Sequence, residues 1–178
     1  MIFEKCAVEG AWQITPRPHH DGRGRFMRAW CARQFADHGI HFVPLQANLA
    51  FSAKMGTMRG LHFQVAPALE AKLVRCVRGA IFDVVADVRP RSPTFGAWYG
   101  LQLSADDAKM LFVPEGCAHG CLSMVDGTDF HYMASAYFAP DCATGIRFDD
   151  PAFDIRWPAP VTIVSDQDRS WPLFGMTR

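Results

Sequence analysis

Net charge is the first thing this sequence lacks. Its 178 residues carry 18 Lys plus Arg and 18 Asp plus Glu, so the formal charge at neutral pH is zero. That balance excludes an extended nucleic-acid or acidic-membrane surface as the main business of the chain. Long apolar runs are missing too. No stretch approaches the roughly 18 to 20 apolar residues that a spanning helix needs. The first ten residues carry Glu4, Lys5 and Glu9 where a secretory signal would be apolar. A cytoplasmic protein with no membrane partner is expected. The cysteines at 6, 31, 76, 117, 121 and 142 form no C-x-x-C pair. A core of this size needs no covalent staples, so they read as reduced and mostly buried. A Walker loop, a dinucleotide G-x-G-x-x-G and a G-x-S-x-G nucleophile elbow are all absent.

What is present is a chain with 49% apolar and 20% charged residues, the composition of one ordinary globular domain. Strand signals dominate, punctuated by Gly, Pro and Asp. Residues 72–89 read as two β-branched-rich strands hinged near Arg78-Gly79. In the second, Phe82, Val84, Ala86 and Val88 alternate with Ile81, Asp83, Val85, Asp87 and Arg89, the period of a sheet with two unlike faces. Further strands are expected at Trp98–Leu103, Met110–Val113, Gly120–Met124, Phe130–Ala134 and Ile146–Phe148. Helix is scarce. Trp30 to His38 suits two turns stopped by Gly39, and Ser104-Ala-Asp-Asp107 resembles a capped start of a short helix. Many short strands at close spacing imply a β-sandwich or barrel, with the Pro- and Trp-rich tail from about Asp149 packed across it.

Several segments carry chemistry. In Met58-Arg-Gly-Leu-His-Phe-Gln64, a strand over 61–64 puts His62 and Gln64 on one face. Lys72 opens a strand that is expected to pair with it across a turn containing Pro67. A base near neutrality and an ammonium that can stabilise an oxyanion would then share a cavity, although on spacing alone a hydrogen-bonded strand histidine looks the same. Val113-Pro-Glu-Gly-Cys-Ala-His-Gly120 matches the second motif of cupin barrels, whose His often binds metal. The first cupin motif needs His-x-His and a downstream Glu, and here the second His is Gln64, a poor divalent-metal cage. Cys117, His119 and Cys121 share a strand face but lack an evident fourth ligand for zinc. Tyr132 is a candidate proton donor, or a packing residue. Ser165-Asp-Gln-Asp168 reads as a cap from which one carboxylate could reach back to orient a His. Asp21-Gly-Arg-Gly-Arg-Phe26 presents Arg23 and Arg25 on a flexed turn; guanidinium forks suit phosphate, and a solvated loop is the bland alternative.

In order along the chain, these segments resemble the dTDP-4-dehydrorhamnose 3,5-epimerase family, metal-free cupin enzymes of nucleotide-sugar metabolism. The resemblance runs through Asp21-x-Arg-Gly-x-Phe26, Gln46-x-Asn48, Arg59-Gly-Leu-His-Phe-Gln64, Lys72-Leu-Val-Arg75, Phe82-Asp-Val-Val-Ala-Asp-Val-Arg89 and Ser92-Pro-Thr-Phe-Gly96. It continues through Pro114-Glu-Gly-Cys-Ala-His-Gly120, Tyr132, Asp149-Asp-Pro151 and Ser165-x-x-Asp168. It implies an all-β, cupin-type double-stranded β-helix, a jelly-roll barrel with a few short helices, filling 1–178 as a single domain. It also implies a nucleoside-diphosphate sugar substrate, no metal, no cofactor, and a homodimer whose N-terminal segment crosses to the neighbour. His62 would take protons from the carbons flanking a 4-ketone, held in the right tautomer by Asp168. Lys72 would stabilise the enolate, and Tyr132 would return a proton from the opposite face. His119, partnered by Asp83, would line the pocket. Arg23 and Arg59 would grip the diphosphate, Phe26 would stack on the base, and Gln46 and Asn48 would add polar contacts.

The chain departs from that pattern at clustered positions. A usual Glu is Arg28, a usual Tyr is Phe138, a usual Glu is Ala143, a usual Ser is Ala50, and usual aromatics are Cys117 and Cys121. The reaction type is therefore firmer than the substrate. An enzyme acting at one centre only, or on another nucleotide sugar, remains open beside the two-centre epimerase. A non-catalytic sugar-nucleotide binding cupin and a metal-dependent cupin enzyme are the readings from other classes. The neutral charge sum also conceals a basic N-terminal half. Residues 1–90 hold five more cations than anions and 91–178 the reverse; folding can interleave the halves, so the segregation carries no argument alone, but Arg23, Arg59 and Lys72 in the basic half fit a small dianionic ligand and one developing enolate.

Overall fold

The computed structural model describes residues 1–175. The first strands are β1 (Ile2–Lys5), β2 (Trp12–Thr15), β3 (His19–Asp21) and β4 (Gly24–Phe26), followed by helix α1 (Ala32–Ala36). Then come β5 (Gln46–Ser52), β6 (Met58–Gln64), β7 (Lys72–Arg78), β8 (Ala80–Asp87), β9 (Trp98–Ser104) and β10 (Met110–Val113). The chain ends with β11 (Cys117–Ser123), β12 (Thr128–Ala134), a 3-10 turn at Pro140–Cys142, β13 (Ala143–Gly145) and α2 (Asp166–Ser170). No helix among the described residues is long and apolar enough to cross a membrane.

Two antiparallel sheets carry the architecture, in the order β1-β2-β10-β7-β12-β5 and β13-β6-β11-β8-β9, with β3 and β4 as a separate hairpin. This is the all-β jelly roll that the resemblance implies. Between the sheets lies a layer built from Val8, Val74, Ile81, Val85, Leu103, Leu111, Cys117, Cys121 and Phe130. The outer face of the larger sheet is covered by α1 and the segment after it, through Phe35, Ile40 and Phe42 against Leu73, Met110 and Phe112. The outer face of the smaller sheet is covered by the C-terminal tail, where Phe153, Trp157 and Phe174 pack over Leu61, Val84 and Ala86. Each fully buried aliphatic or aromatic side chain in these layers contributes roughly 1.5 to 3 kcal/mol.

The alternation in β8 is therefore genuine, but its two faces differ in partner and not in wetness. Ile81 and Val85 face the opposing sheet, while Val84 and Ala86 face the tail. Gly79, at φ +76°, turns the chain between β7 and β8, and a side chain there would meet Thr128 Oγ1 at 2.6 Å. β7 and β8 belong to different sheets, so the hinge is a crossing between layers. The same is true of β6 and β7. The expected pairing of the His62 strand with the Lys72 strand does not occur, because β6 pairs with β11 and β13, and β7 with β10 and β12.

Two further expectations are corrected. The strand expected at Ile146–Phe148 is displaced to Ala143–Gly145. Ile146 still exchanges backbone hydrogen bonds with Leu61, but beyond it the chain leaves the sheet to bury Phe148 under the tail. Ser104 and Asp107 do form reciprocal side chain to backbone bonds, yet Ser104 ends β9 and only a turn follows, since Ala108 at φ +52° leaves the right-handed helical region before β10 begins at Met110. Helix α1 covers Ala32–Ala36, within the expected span. Its end closes as a Schellman turn, with Ile40 N–H donating to Phe35 O, Gly39 N–H to Ala36 O, and Gly39 at φ +76°.

The Ser92-Pro-Thr-Phe-Gly96 segment has a structural job. Asp87, fully buried at the end of β8, accepts from Arg89 Nε and Nη2 at 2.8 Å each, from Ser92 Oγ at 2.5 Å and from Thr94 Oγ1 at 2.6 Å. Arg89 goes on to Glu9 O at 2.7 Å, tying the N-terminal segment to this corner. Burial pushes the Asp87 carboxyl up, but these donors outweigh it and hold it well below the usual carboxylate range. Asp87→Ala is expected to cost on the order of 3 to 5 kcal/mol, read from the urea midpoint at unchanged slope. Because the folded-state pKa lies below the ordinary 3.8, Asp87's own contribution is complete above that pH and lost as pH falls through the folded value. The stability gap between wild type and variant should accordingly narrow in strong acid.

Candidate active site

A cavity of about 570 Å³ opens between the sheets where the apolar layer stops, lined by Arg59, His62, Lys72, His119, Tyr132 and Asp168. A second lobe of about 420 Å³ shares His62, Lys72 and Tyr132 with it and extends to Asn48, Glu70, Phe138 and Trp171. Register explains the convergence. Tyr132 faces Val74 across the β12–β7 ladder and Lys72 faces Ala134, so Lys72 and Tyr132 share the inner face of the larger sheet. His62 on β6 stands opposite His119 on β11, both on the inner face of the smaller sheet. The sheet crossing in the 65–71 loop thus sets His62 against Lys72 and Tyr132 instead of beside them.

His62 Nε2 lies 2.6 Å from Asp168 Oδ1. Asp168 sits in α2, whose N-cap Ser165 accepts the Asp168 N–H at 3.1 Å, and its carboxylate also receives Gly60 N–H at 3.2 Å and Trp171 Nε1–H at 3.4 Å. Burial raises the Asp168 carboxyl, but the His62 contact and these two donors prevail and hold it below the usual range. An ionised carboxylate only accepts, so Nε2 is the donor in this contact, which in the neutral imidazole leaves the lone pair on Nδ1. His119 Nε2 makes the parallel contact with fully buried Asp83, at 2.8 Å to Oδ1.

Lys72 is buried and pairs with Glu70, itself nearly buried. Burial pulls the ammonium below the usual lysine range, and Glu70 offsets part of that fall. Tyr132 is pushed up by burial and by the nearby Glu70 carboxylate, with Arg59 acting the other way. Arg59 reaches along the rim, donating to Phe51 O at 2.7 Å and Ser52 Oγ at 3.3 Å. Asn48 lines the second lobe, while Gln46 Oε1 accepts Phe138 N–H at 2.7 Å. Gln64 is wholly engaged with the backbone of Ala68, Tyr137 and Ala139, so its amide holds loops instead of reaching into the cavity as a free group.

Arg23 and Phe26 are not brought to this cavity by their own chain. They sit on the β3–β4 hairpin, Phe26 76% exposed, with Arg23 paired to Asp21. Arg25 fastens that hairpin to the carbonyls of Ala105 and Asp106. Of the clustered departures, Phe138 and Ala143 line the second lobe, Ala50 and Cys121 line the first, Cys117 lies in the inter-sheet layer and Arg28 is exposed. Among the described residues no three His, Cys, Asp or Glu side chains gather as a metal-holding group. Burial pushes the Cys117 thiol up to about 12, opposing the thiolate that a metal would need.

The sequence reading missed Glu70 and Trp171. Glu70 had a signal, as the single charge in Val65-Ala-Pro-Ala-Leu-Glu-Ala71 directly before Lys72. Trp171 had none, because its place against the His62 ring, at 6.3 Å between centroids, depends on the tail folding back.

A family model described as dTDP-4-dehydrorhamnose 3,5-epimerase matches residues 5–175. The chain belongs to the dTDP-4-dehydrorhamnose 3,5-epimerase family. A relative of that name from Sinorhizobium fredii is 40% identical over 177 residues, covering 97% of this chain and 89% of the relative. A dTDP-4-dehydrorhamnose 3-epimerase from Streptomyces niveus is 37% identical over 179 residues, covering 100% of this chain and 86% of that one. The crystal structure of dTDP-4-dehydrorhamnose 3,5-epimerase from Bacillus anthracis, with TDP and PPi bound, superposes with a TM-score of 0.93 at 37% identity, covering 97% of this chain and 98% of that one.

In this epimerase-family chain the glycines flanking both histidines explain the motif spacing. A Cβ on Gly60 (φ +121°) would lie 2.5 Å from Gly120 Cα, and one on Gly120 would lie 2.8 Å from Arg59 O. Two bare backbones let β6 and β11 approach at the irregularity between His119 and Cys121. Gly60→Ala is expected to cost about 1 to 3 kcal/mol for the backbone conformation alone, more with the clash. It should also loosen the Gly60–Asp168 bond, visible as a lower denaturation midpoint and faster exchange of the Gly60 amide.

Proposed function

We propose that the chain epimerises C3 and C5 of a dTDP-linked 4-keto-6-deoxyhexose, by proton abstraction and return through an enolate, with His62, Lys72, Tyr132 and Asp168 as the working set. The observation that carries this is the opposition of the His62–Asp168 pair on one sheet to Tyr132 and Lys72 on the other, across one cavity. Inversion needs a proton removed on one face of a carbon and delivered on the other. Groups on facing sheets supply that, and groups on one strand would not.

His62 Nδ1 takes the proton alpha to the ketone while Asp168 stabilises the imidazolium that results. Lys72, itself buried in the cavity wall, stabilises the charge that develops on the ketone oxygen. Tyr132, kept protonated by burial, returns a proton from the far side. A positioned base of this kind is worth roughly 10² to 10⁴ in rate. His119, with Asp83, lines the sugar pocket. Arg59 takes the diphosphate, with Asn48 and Gln46 at the second lobe. Deprotonation and reprotonation complete the reaction, so the mechanism calls on no redox cofactor.

Arg23 and Phe26 act on a neighbouring copy in this reading, in a homodimer where the hairpin reaches the other cleft to hold phosphate and base. Its support is an uncovered apolar face beside the cavity, where Val43, Leu45, Leu49 and Phe51 are 68%, 47%, 67% and 51% exposed. Light scattering is expected to give twice 19.9 kDa. Leu49→Glu should give monomer with weakened dTDP binding.

A single-centre variant is the second reading, favoured by Phe138 and Ala143 at the second lobe and by the relative named as a 3-epimerase. Incubation with dTDP-4-keto-6-deoxyglucose in deuterated water separates the two. Label at C3 and C5 at comparable rates supports two centres, and label at one supports the variant. Absence of exchange with any nucleoside-diphosphate keto sugar would sink both. His62→Ala should abolish exchange while dTDP still binds, and full exchange in that variant would remove His62 from the base role.

A further inference from the structure

We infer that Glu70 is a positioning residue for this reaction: its carboxylate, buried beside Lys72, holds the ammonium charged and in place at the cavity wall shared by both lobes. The inference rests on the function proposed above.

Lys72 is among the most buried charged side chains of the chain, at 6% exposure, and the two flanking positions on its loop and strand, Ala71 and Leu73, are buried and apolar. An isolated buried lysine sheds its proton, and a neutral amine has no charge to set against an enolate. The other groups facing Lys72 do not supply the missing negative charge. Around the same cavity stand Tyr132, a phenol, from β12; His62 and Arg59 from β6; and His119 from β11. His62 and His119 each already hold a carboxylate of their own, Asp168 and Asp83. Among the described residues that line the two lobes, Glu70 is the remaining anion, and it makes the ion pair with Lys72 Nζ.

Its place is built. The loop from Val65 to Ala71 is fastened at three points, by Gln64 Nε2 donating to Ala68 O at 2.9 Å, Ala71 N–H donating to Ser135 Oγ at 2.8 Å, and Ser135 N–H donating to Ala71 O at 3.0 Å. The Gln that stands where metal-binding cupins carry their second His thus serves to seat the carboxylate. Glu70 also faces Tyr132 and raises its pKa beyond what burial does. One anion therefore favours the protonated form of both groups, and Lys72, whose charge burial opposes, is the one that depends on it.

The chain has only four lysines, at 5, 54, 72 and 109, so lysine labelled at Cε gives four resolvable NMR signals whose titration can be followed without substrate. In Glu70→Gln the Lys72 midpoint is expected to fall by about one pH unit or more. The alkaline limb of kcat/KM for the dTDP keto sugar should move the same way, so that the loss of activity grows with pH while KM changes little. Glu70→Asp, which keeps the charge, should recover most of both shifts. An unchanged Lys72 midpoint, or a loss equal at every pH, overturns the inference. If the wild-type protein fails to exchange protons on any nucleotide keto sugar, the functional reading falls, and the Lys72 midpoint still decides the role of Glu70.

Discussion

Two twisted sheets share one apolar layer, and that layer is incomplete. Where Val74, Ile81, Leu111 and Phe130 meet, the sheets touch; farther along, the inward positions are His62, Lys72, His119 and Tyr132, and a cavity remains between them. Everything chemical in the molecule follows from this division of one interior into a packed end and a polar end. The packed end fixes the separation of the sheets, and that separation sets the distance between His62 and His119 on one and Lys72 and Tyr132 on the other. Outer layers, α1 on one side and the tail on the other, keep both sheets from bending away.

Polar groups placed in such an interior must find partners. Asp168 accepts from His62, Gly60 and Trp171; Asp83 pairs with His119; Glu70 pairs with Lys72; Asp87 is filled by Arg89, Ser92 and Thr94. The first three pairs each include a group facing the cavity, so the side chains there are already held in orientation by a carboxylate behind them. The fourth lies outside it and ties the N-terminal segment to the end of β8. One arrangement, a carboxylate behind a cation or an imidazole, thus lines the cavity at one end of the barrel and ties the chain together at the other.

Legibility followed the range of each interaction. Strands of β-branched residues bounded by Gly and Pro were readable because their signal is local, and β9, β10 and β12 fall where alternation placed them. Ile146–Phe148 misled because an apolar run suits a strand and a tail buried under a sheet equally well. Ser104-Ala-Asp-Asp107 showed a cap and no helix, since capping bonds form in any turn with that spacing. Glu70 was visible but unranked, its value resting on how deeply Lys72 is buried. Trp171 and the partition of Gln64 into a loop clamp were not readable at all.

By itself the sequence determined the residue chemistry, the all-β character and, through ten motifs in register, the family. It also held the glycines without which β6 and β11 could not close together. What only the tertiary structure decided is which of those residues meet. β6 and β7, joined by a short loop, lie on opposite sheets, so His62 confronts Lys72 and Tyr132 across a gap; Asp168, more than a hundred positions away, stands behind His62. Arg23 and Phe26, which the motif order places with the site, stay outside it in their own chain. The reason is physical. Side-chain identity and strand period are written in neighbouring residues, whereas the pairing of sheets is chosen by the burial of apolar faces contributed from the whole length of the chain.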